Sequence, residues 1–423
     1  MKTPIFRIAP SPTGEMHIGT VGMALCDYML ARTMGGKCYL RIEDTDQKRE
    51  VKGATERLLK SFKKFGIHFD NQDNIAVQST RGEIYKKYAE ELIAKNQAYR
   101  DDGAIRFRAP KTTPSAIKWK DLVKGEMALP PLERDPVIMK SNGLPPYNLA
   151  ATVDDYLMGV THVLRGEEWL VSTAEHIQLR QAVFGESANW QYAHLPVICI
   201  EEDGKKRKLS KRKDKEALAE HFLGMGYPAD AVIEYLLTLY NTDFELWRIK
   251  NPDIPWHEFN FRFEKIGSNS PLFDWNKLDN ISRNVIAKMS CEQVREVFGA
   301  WAAEHNISQE DTRKGSEVLC IDRGQSRPRK DVAKWSDVLT LYSYLFKDEG
   351  IITDKAVIND YKKTYDPNDS KDEWFAKIKK YCEESGKSVR DVTGAIRMAY
   401  TGRENTPDLW AILKIINQLT LQI

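Results

Sequence analysis

Two stretches of this chain carry residue types suited to work on phosphate. The first is Arg7-Ile8-Ala9-Pro10-Ser11-Pro12-Thr13-Gly14-Glu15-Met16-His17-Ile18-Gly19-Thr20. It joins the end of an apolar strand to the start of a helix, where free backbone N–H groups and the helix dipole favour an anion. Gly19 leaves room for a flat base or a ribose against the backbone, and His17 can donate a hydrogen bond to a phosphate oxygen or a ribose ring. The second stretch, Arg207-Lys208-Leu209-Ser210-Lys211-Arg212, is a basic loop. It can close over a leaving pyrophosphate and stabilise the charge that grows there. Taken singly, each has a plainer explanation: a hydrogen-bonded histidine in a Pro-rich turn, and a solvated run of charge.

The elements around these stretches alternate. Ile5-Phe6-Arg7-Ile8-Ala9 reads as a strand that ends at the Pro10–Pro12 breakers. Val21, Leu25, Tyr28 and Met29 recur at helical spacing, and Gly35-Gly36 stops that helix. Cys38-Tyr39-Leu40-Arg41-Ile42 is a second strand running into Glu43-Asp44-Thr45-Asp46, and Ala54, Leu58, Phe62 and Phe65 form another helical stripe. Strand and helix in alternation predict a parallel sheet with right-handed crossovers. A helix with Tyr85, Tyr88 and Leu92 leads into strands and Pro-rich turns that read as an insertion over 81–140. The alternation resumes with a strand at Gly159–Leu164, a helix around His176 and a strand at Leu195–Cys199, followed by a basic loop at 204–215. After about residue 290, stripes such as Val332, Trp335, Val338 and Tyr342 predict helices to the end of the chain.

Composition narrows the class. At 423 residues the chain has length for roughly three domains. It is 42% hydrophobic, which excludes wholesale disorder, and 63 basic against 61 acidic residues exclude a globally basic nucleic-acid coat. No apolar run approaches a membrane span, and the start of the chain leaves no room for a signal or transit peptide. The six cysteines are scattered, with no Cys-x-x-Cys and no Cys/His cluster. That pattern predicts reduced thiols in a cytosol and no structural zinc site. There is no Gly-x-Gly-x-x-Gly after a strand, and Gly386-Lys387-Ser388 lacks the upstream glycine of a P-loop.

Together, the two phosphate-type stretches resemble the paired signatures of a class I aminoacyl-tRNA synthetase. His17-Ile18-Gly19-Thr20 resembles the His-Ile-Gly-His box, and Lys208-Leu209-Ser210-Lys211-Arg212 the Lys-Met-Ser-Lys-Ser box. Phe6–Gly14, Leu40–Asp46 and Thr161-His162-Val163-Leu164-Arg165-Gly166-Glu167-Glu168 are similar to the glutamyl-tRNA synthetase family. Ala399-Tyr400-Thr401-Gly402 with Thr406-Pro407 is similar to the anticodon-binding end of its bacterial members. The resemblance is strong over 5–80 and 141–215 and thinner from 225 to 423.

The resemblance implies an α/β fold: a Rossmann-like catalytic domain over 1–80 and 141–200, with a shortened α+β acceptor-end insertion at 81–140. A stem-contact domain carrying the Lys-Leu-Ser-Lys-Arg loop would span 201–290, and a mostly helical anticodon-binding region 291–423. It implies an amino-acid pocket of Arg7, Ala9, Ser11, Glu43, Tyr147 and Arg165. There a carboxylate meets the substrate ammonium and arginine forks meet its carboxylates. Arg165 would read the side-chain carboxylate; its plainer alternative is a surface ion pair with Glu167 or Glu168. The implied ATP site comprises His17, Gly19, Thr20, Glu168, the backbone at Val197 and Ile198, and Lys208, Ser210, Lys211 and Arg212. His17, Lys208 and Lys211 would carry the chemistry. The implied partners are ATP with Mg²⁺, L-glutamate and tRNA(Glu), with tRNA(Gln) left open as a second acceptor, in a cytoplasmic monomer.

Three departures stand out. Thr20 replaces the second histidine of the box, Ala151 stands where the family has a pocket asparagine, and Tyr99–Gly103 runs straight into Ala104–Phe107. The short insertion therefore implies reduced acceptor-stem contacts and no zinc. Two other readings compete. A paralogue that glutamylates queuosine on tRNA(Asp) would stop soon after the catalytic domain, and an inactive tRNA-binding module would carry lesions in the phosphate loop or the pocket. A glutamine-specific relative is disfavoured by Arg165 and by a helical rear. Arg327 and Arg329 are the candidate anticodon readers, against a solvated basic turn, and Trp335 is either a stacking platform or core.

Overall fold

A computed structural model describes residues 3–48, 51–110, 115–185, 190–346, 366 and 368–417. Strand β1 (Ile5–Ile8) pairs in parallel with β2 (Lys37–Ile42), which pairs in parallel with the short β3 (Ala76–Val77). Between them run α1 (Ile18–Thr33) and α2 (Ala54–Lys64). Phe6, Ile8, Leu40 and Ile42 face a core into which α1 is sunk along most of its length, whereas α2 offers one face through Leu58 and Phe62. After α3 (Gly82–Ala94), a small antiparallel sheet of β4 (Ala98–Asp101), β5 (Ala104–Phe107) and β8 (Val137–Met139) packs on that helix. Its core cluster extends to α4 (Tyr147–Leu157) and α5 (Thr173–Phe184) through Leu149, Val153 and Leu179.

Four further strands form a sheet ordered β7 (Gly125–Leu129), β6 (Ile117–Asp121), β10 (Gln191–Leu195), β9 (His162–Gly166), parallel except for β7. Here β9 lies beside β1, tied by the Thr161 N–H to the Ile5 carbonyl at 2.9 Å. Chain order thus reverses between β1 and β9, and a doubly wound sheet holds its ligand in the crevice outside the strand ends at such a point.

Two sequence expectations shift here. The apolar run 195–199 covers the end of β10, a break at Pro196 and the start of β11 (Cys199–Glu202). A third of the basic stretch 204–215 is a strand, β12 (Lys205–Lys208), antiparallel to β11. Cross-strand charge makes this possible: Arg207 donates to Glu202 at 2.6 Å and to Asp214 at 2.7 Å, so the like-charge run is partly neutralised. The helices α6 (Ala219–Met225), α7 (Ala229–Tyr240) and α8 (Phe244–Lys250) follow.

The chain divides into two compact units, residues 1–222 with 232–275, and residues 223–231 with 276–423. The described elements of the second unit are all helical: α9 (Trp275–Lys288, starting at the boundary), α10 (Cys291–Glu304), α11 (Gln309–Cys320), α12 (Trp335–Leu341), α13 (Lys371–Ser385), α14 (Val389–Thr401) and α15 (Leu409–Asn417). Local chemistry sets their ends. Ser290 with Gln293 and Ser370 with Glu373 form capping boxes, and Gly386 and Gly402 close α13 and α14 with left-handed backbone. One core gathers Val294, Phe298, Trp301, Val318, Trp335 and Ile412; another gathers Trp374, Ile378, Ile396 and Leu413. The stripe Val332–Tyr342 reaches the first of these, but only Trp335–Leu341 is helix, and Trp335 is core. Residues 418–423, where helix is also expected, lie outside the described residues.

One expectation is corrected. The structure joins Cys291 and Cys320 in a disulfide, whereas the scatter of the cysteines predicts reduced thiols. Their separation of 29 residues carries no signal in the sequence. The antiparallel pairing of α10 and α11 brings the two Cα atoms to 5.2 Å.

Gly226 offers a test of the second unit's packing. Its φ is +92°, its carbonyl accepts from the Trp335 N–H at 2.9 Å, and a Cβ placed there would lie 2.7 Å from the Trp335 backbone. Gly226→Ala is expected to destabilise this unit by roughly 2–4 kcal/mol through left-handed strain and overpacking. Chemical denaturation followed by tryptophan fluorescence measures it, and an unchanged midpoint would contradict the packing.

Candidate active site

The carboxyl ends of β1, β2 and β9 open onto a cavity of about 1060 Å³ whose lining includes Arg7, Ala9, Ser11, Glu43, Tyr147 and Arg165. A second cavity of about 450 Å³ is lined by His17, Gly19, Glu168, Val197, Ile198, Lys208 and Lys211 among others. Pro10, Ser11, Thr20, Met23 and Gly166 line both, so the two cavities share a wall. The residues assigned to an amino acid and those assigned to ATP therefore sit side by side at the crevice. Two of the assigned residues line neither cavity. The Ser210 N–H is engaged by Asp214 at 2.8 Å, and Arg212 is exposed.

In the larger cavity the charges are not equivalent. Arg7 donates through Nε to Asp155 at 2.9 Å and through Nη1 to the Leu164 carbonyl at 2.9 Å. Arg41, wholly buried, donates to Asp155 at 2.6 Å and to Glu43 at 2.8 Å. Burial pushes Asp155 upward, but Arg7 and Arg41 prevail and hold it at about 2. Burial also raises Glu43, against the pull of Arg41. Arg7 thus already faces a carboxylate of the protein. Arg165 differs: its Nε and Nη2 donate to His194 and Thr173, both neutral groups, and its buried Nη1 has no hydrogen-bond partner. Glu167, the ion-pair partner considered from the sequence, instead accepts from Lys124 at 2.5 Å.

Tyr147 opens α4, and its ring packs on Trp169 with centroids 4.6 Å apart. Ala151 is fully buried in α4 and offers no side-chain donor to replace the asparagine amide.

His17 is the N-cap of α1. Its Nδ1 accepts from the Gly19 N–H at 2.9 Å, so Nε2 carries the proton and donates to the Leu209 carbonyl at 3.2 Å. Burial lowers its pKa to about 4, so the ring is neutral at pH 7. The donor assigned to phosphate or ribose is thus engaged on the basic loop, joining the two signature stretches. A Cβ on Gly19 would lie 2.9 Å from His17 Nδ1, so the cap itself also requires glycine there. Lys208 pairs with Glu168 at 2.7 Å, and the Lys211 ammonium donates to the Glu15 carbonyl.

Several residues of the site escaped the sequence reading. Glu167 Oε1 accepts from the Val197 N–H at 3.1 Å and from Ser270, fixing the break between β10 and β11 beside the smaller cavity. Trp169, 42% exposed, lines the larger one. The Arg-Gly-Glu-Glu-Trp run could have drawn attention to both. Asp121, His194 and Thr173 stand behind Arg165, and nothing in their local sequence marks them.

In the second unit, Arg329 donates to the carbonyls of Val318 and Ile321 and pairs with Asp331 at 2.7 Å, closing the end of α11. Arg327 and Lys330 are exposed.

The chain matches the family model described as tRNA synthetases class I (E and Q), catalytic domain, over residues 5–104 and 102–251. It is 36% identical to the glutamate–tRNA ligase of Clostridium perfringens (strain SM101 / Type A), over 98% of this chain and 91% of that one. It is 32% identical to the glutamate–tRNA ligase of Thermus thermophilus, over 98% and 97%. Its fold is similar to the crystal structure of a glutamate tRNA ligase from Elizabethkingia meningosepticum in complex with its amino acid, with a TM-score of 0.79 at 23% identity, covering 98% and 97%. The alignment with the C. perfringens protein runs for 506 residues against 423 here, so that relative carries segments this chain lacks.

Proposed function

The chain belongs to the class I tRNA synthetases, in the glutamate–tRNA ligase family, and from that premise we propose that its cleft makes glutamyl-tRNA in two steps. A carboxylate oxygen of glutamate attacks the α-phosphorus of ATP, giving glutamyl-adenylate and pyrophosphate. The terminal ribose hydroxyl of tRNA(Glu) then attacks the adenylate carbonyl, and AMP leaves. No side-chain nucleophile takes part, so the residues act by positioning and by stabilising charge.

The observation that carries this reading is Arg165, a buried cation with neutral protein partners and an unpartnered Nη1 at the amino-acid cavity. A substrate carboxylate supplies the missing counter-charge. Glu43 meets the ammonium, and Tyr147 with Trp169 walls the pocket. His17, Gly19, Thr20 and the Val197–Ile198 backbone hold ATP, whose phosphates carry Mg²⁺, and Lys208 and Lys211 take the charge of departing pyrophosphate. Exposed Arg327 and Lys330 are candidates to meet tRNA in the second unit. The enzyme works as a cytoplasmic monomer; among the described residues no helix is long and apolar enough to cross a membrane.

Pyrophosphate exchange into ATP, measured with total tRNA present, tests the reading. Exchange should depend on glutamate. A purified chain that binds tRNA but never exchanges would favour the inactive module. Charging should also need no zinc, because the insertion is short and the chain has no cluster of cysteines and histidines at ligand spacing. Stoichiometric zinc by elemental analysis, lost together with activity on chelation, would overturn this.

A further inference from the structure

We infer that His194 is a positioning residue that aims Arg165 at the side-chain carboxylate of the amino acid, through a relay anchored at Asp121. The inference rests on the proposed glutamate site and adds to it what selects the side chain. Asp121 ends β6, opposite Tyr192 of β10. Its Oδ1 accepts from the backbone N–H groups of Val123, Lys124 and His194 at 3.0, 2.9 and 3.1 Å. Its Oδ2 lies 2.5 Å from His194 Nδ1. An ionised carboxylate there fixes the tautomer: Nδ1 carries the proton, and Nε2 presents a lone pair.

That lone pair accepts from Arg165 Nε at 3.1 Å. Thr173 Oγ1, itself 3.1 Å from the same His194 Nε2, accepts from Arg165 Nη2 at 2.7 Å. Two of the three guanidinium nitrogens are therefore pinned on neutral atoms, Nη1 keeps no hydrogen-bond partner, and the neutral Tyr147 hydroxyl also lies against the fork. His194, Asp121 and Thr173 are each no more than 1% exposed, so the relay is shielded from water. Burial lowers the pKa of His194 in spite of the Asp121 contact, which keeps the lone pair available at neutral pH. A carboxylate in place of His194 would orient the fork equally well but would cancel its charge. The neutral ring orients without neutralising, and this is what a carboxylate-reading arginine requires.

Two near-isosteric variants separate this role from simple packing. The amide of glutamine overlays the Nε2 end of histidine, and the amide of asparagine overlays the Nδ1 end. His194→Gln keeps an acceptor for Arg165, whereas His194→Asn keeps only the contact to Asp121. In glutamate-dependent pyrophosphate exchange, His194→Asn should raise KM for glutamate by roughly 10-fold or more. Its KM for ATP should stay within about 2-fold of wild type, and its preference for glutamate over glutamine should fall. His194→Gln should restore most of that preference, and Thr173→Val, which removes the Nη2 acceptor at constant volume, should behave like His194→Asn. Equal losses toward ATP and glutamate in both histidine variants would make His194 a packing residue and overturn the inference. Wild-type selectivity in His194→Asn would overturn it too. A wild-type chain with no glutamate-dependent exchange would instead sink the proposed function on which the inference rests.

Discussion

Replacing Arg165 with alanine is expected to cut kcat/KM for glutamate by about 30-fold or more, while glutamine loses far less. The side-chain carboxylate of glutamate must leave water to enter the cavity, and an unpaired charge there is costly. Arg165 is the buried cation among the described lining residues whose fork is held by neutral groups, since Arg7 already faces Asp155. Removing one member of a desolvated charge pair costs about 2–5 kcal/mol, largely because the other is left unmatched. Glutamine brings no charge and is not left unmatched in this way, so the ratio of the two specificity constants must shrink. Equal losses on both amino acids would make Arg165 a structural or ATP-side residue. Unchanged selectivity would move the carboxylate-reading role to another cation, and the first candidate is Arg7 Nη2, whose contact with Asp155 Oδ2 is long at 3.4 Å.

The second large effect is expected at Lys211. Lys211→Ala should lower kcat for pyrophosphate exchange by about 100-fold or more. Negative charge accumulates on the β- and γ-phosphates as the bond to the α-phosphorus breaks, and an ammonium aimed there acts mainly in the transition state. Lys211 donates to the Glu15 carbonyl, both residues lining the smaller cavity, a bond it can exchange for a phosphate oxygen. Lys208 stands differently, since its partner Glu168 is a charged group on the facing wall. A Lys211→Ala variant with unchanged kcat and only a raised KM for glutamate would refute the role.

What the sequence made legible was local. The 3.6-residue stripes of α1 and α2, the strand before Glu43 and the Pro-rich break after β1 follow from spacing and turn chemistry within about twenty residues. The two signature stretches could be recognised because each is contiguous. What stayed hidden is what depends on pairing across the chain. Arg7 reads as free until Asp155, 148 residues on, is folded against it. His194 gives no sign of its role until Asp121 and Arg165 meet on its two ring nitrogens. Cys291 and Cys320 look unrelated until α10 and α11 fold back on each other. Arg329 looks like a surface cation until its guanidinium closes α11. Charge runs mislead for the same reason: Lys205–Lys208 reads as loop because its compensating Glu202 belongs to the partner strand of a hairpin.

The adjacency of β1 and β9 also has a bearing on the order of assembly during synthesis. Ile5 meets Thr161 across 156 positions, Arg7 meets Leu164 across 157, and His17 meets Leu209 across 192. Closing such loops costs chain entropy before any contact repays it, which makes the crevice a late product of folding. A chain emerging from the ribosome cannot cap the crevice until residue 209 has cleared the exit tunnel, although α1, β2 and α2 can form long before. Until residue 155 has emerged the buried charges Arg7, Arg41 and Glu43 lack the Asp155 that organises them, and the early segment exposes a half-built polar core. Pulse-labelled nascent chains should therefore become protease-resistant around β1 and β2 only after the β9 segment is released.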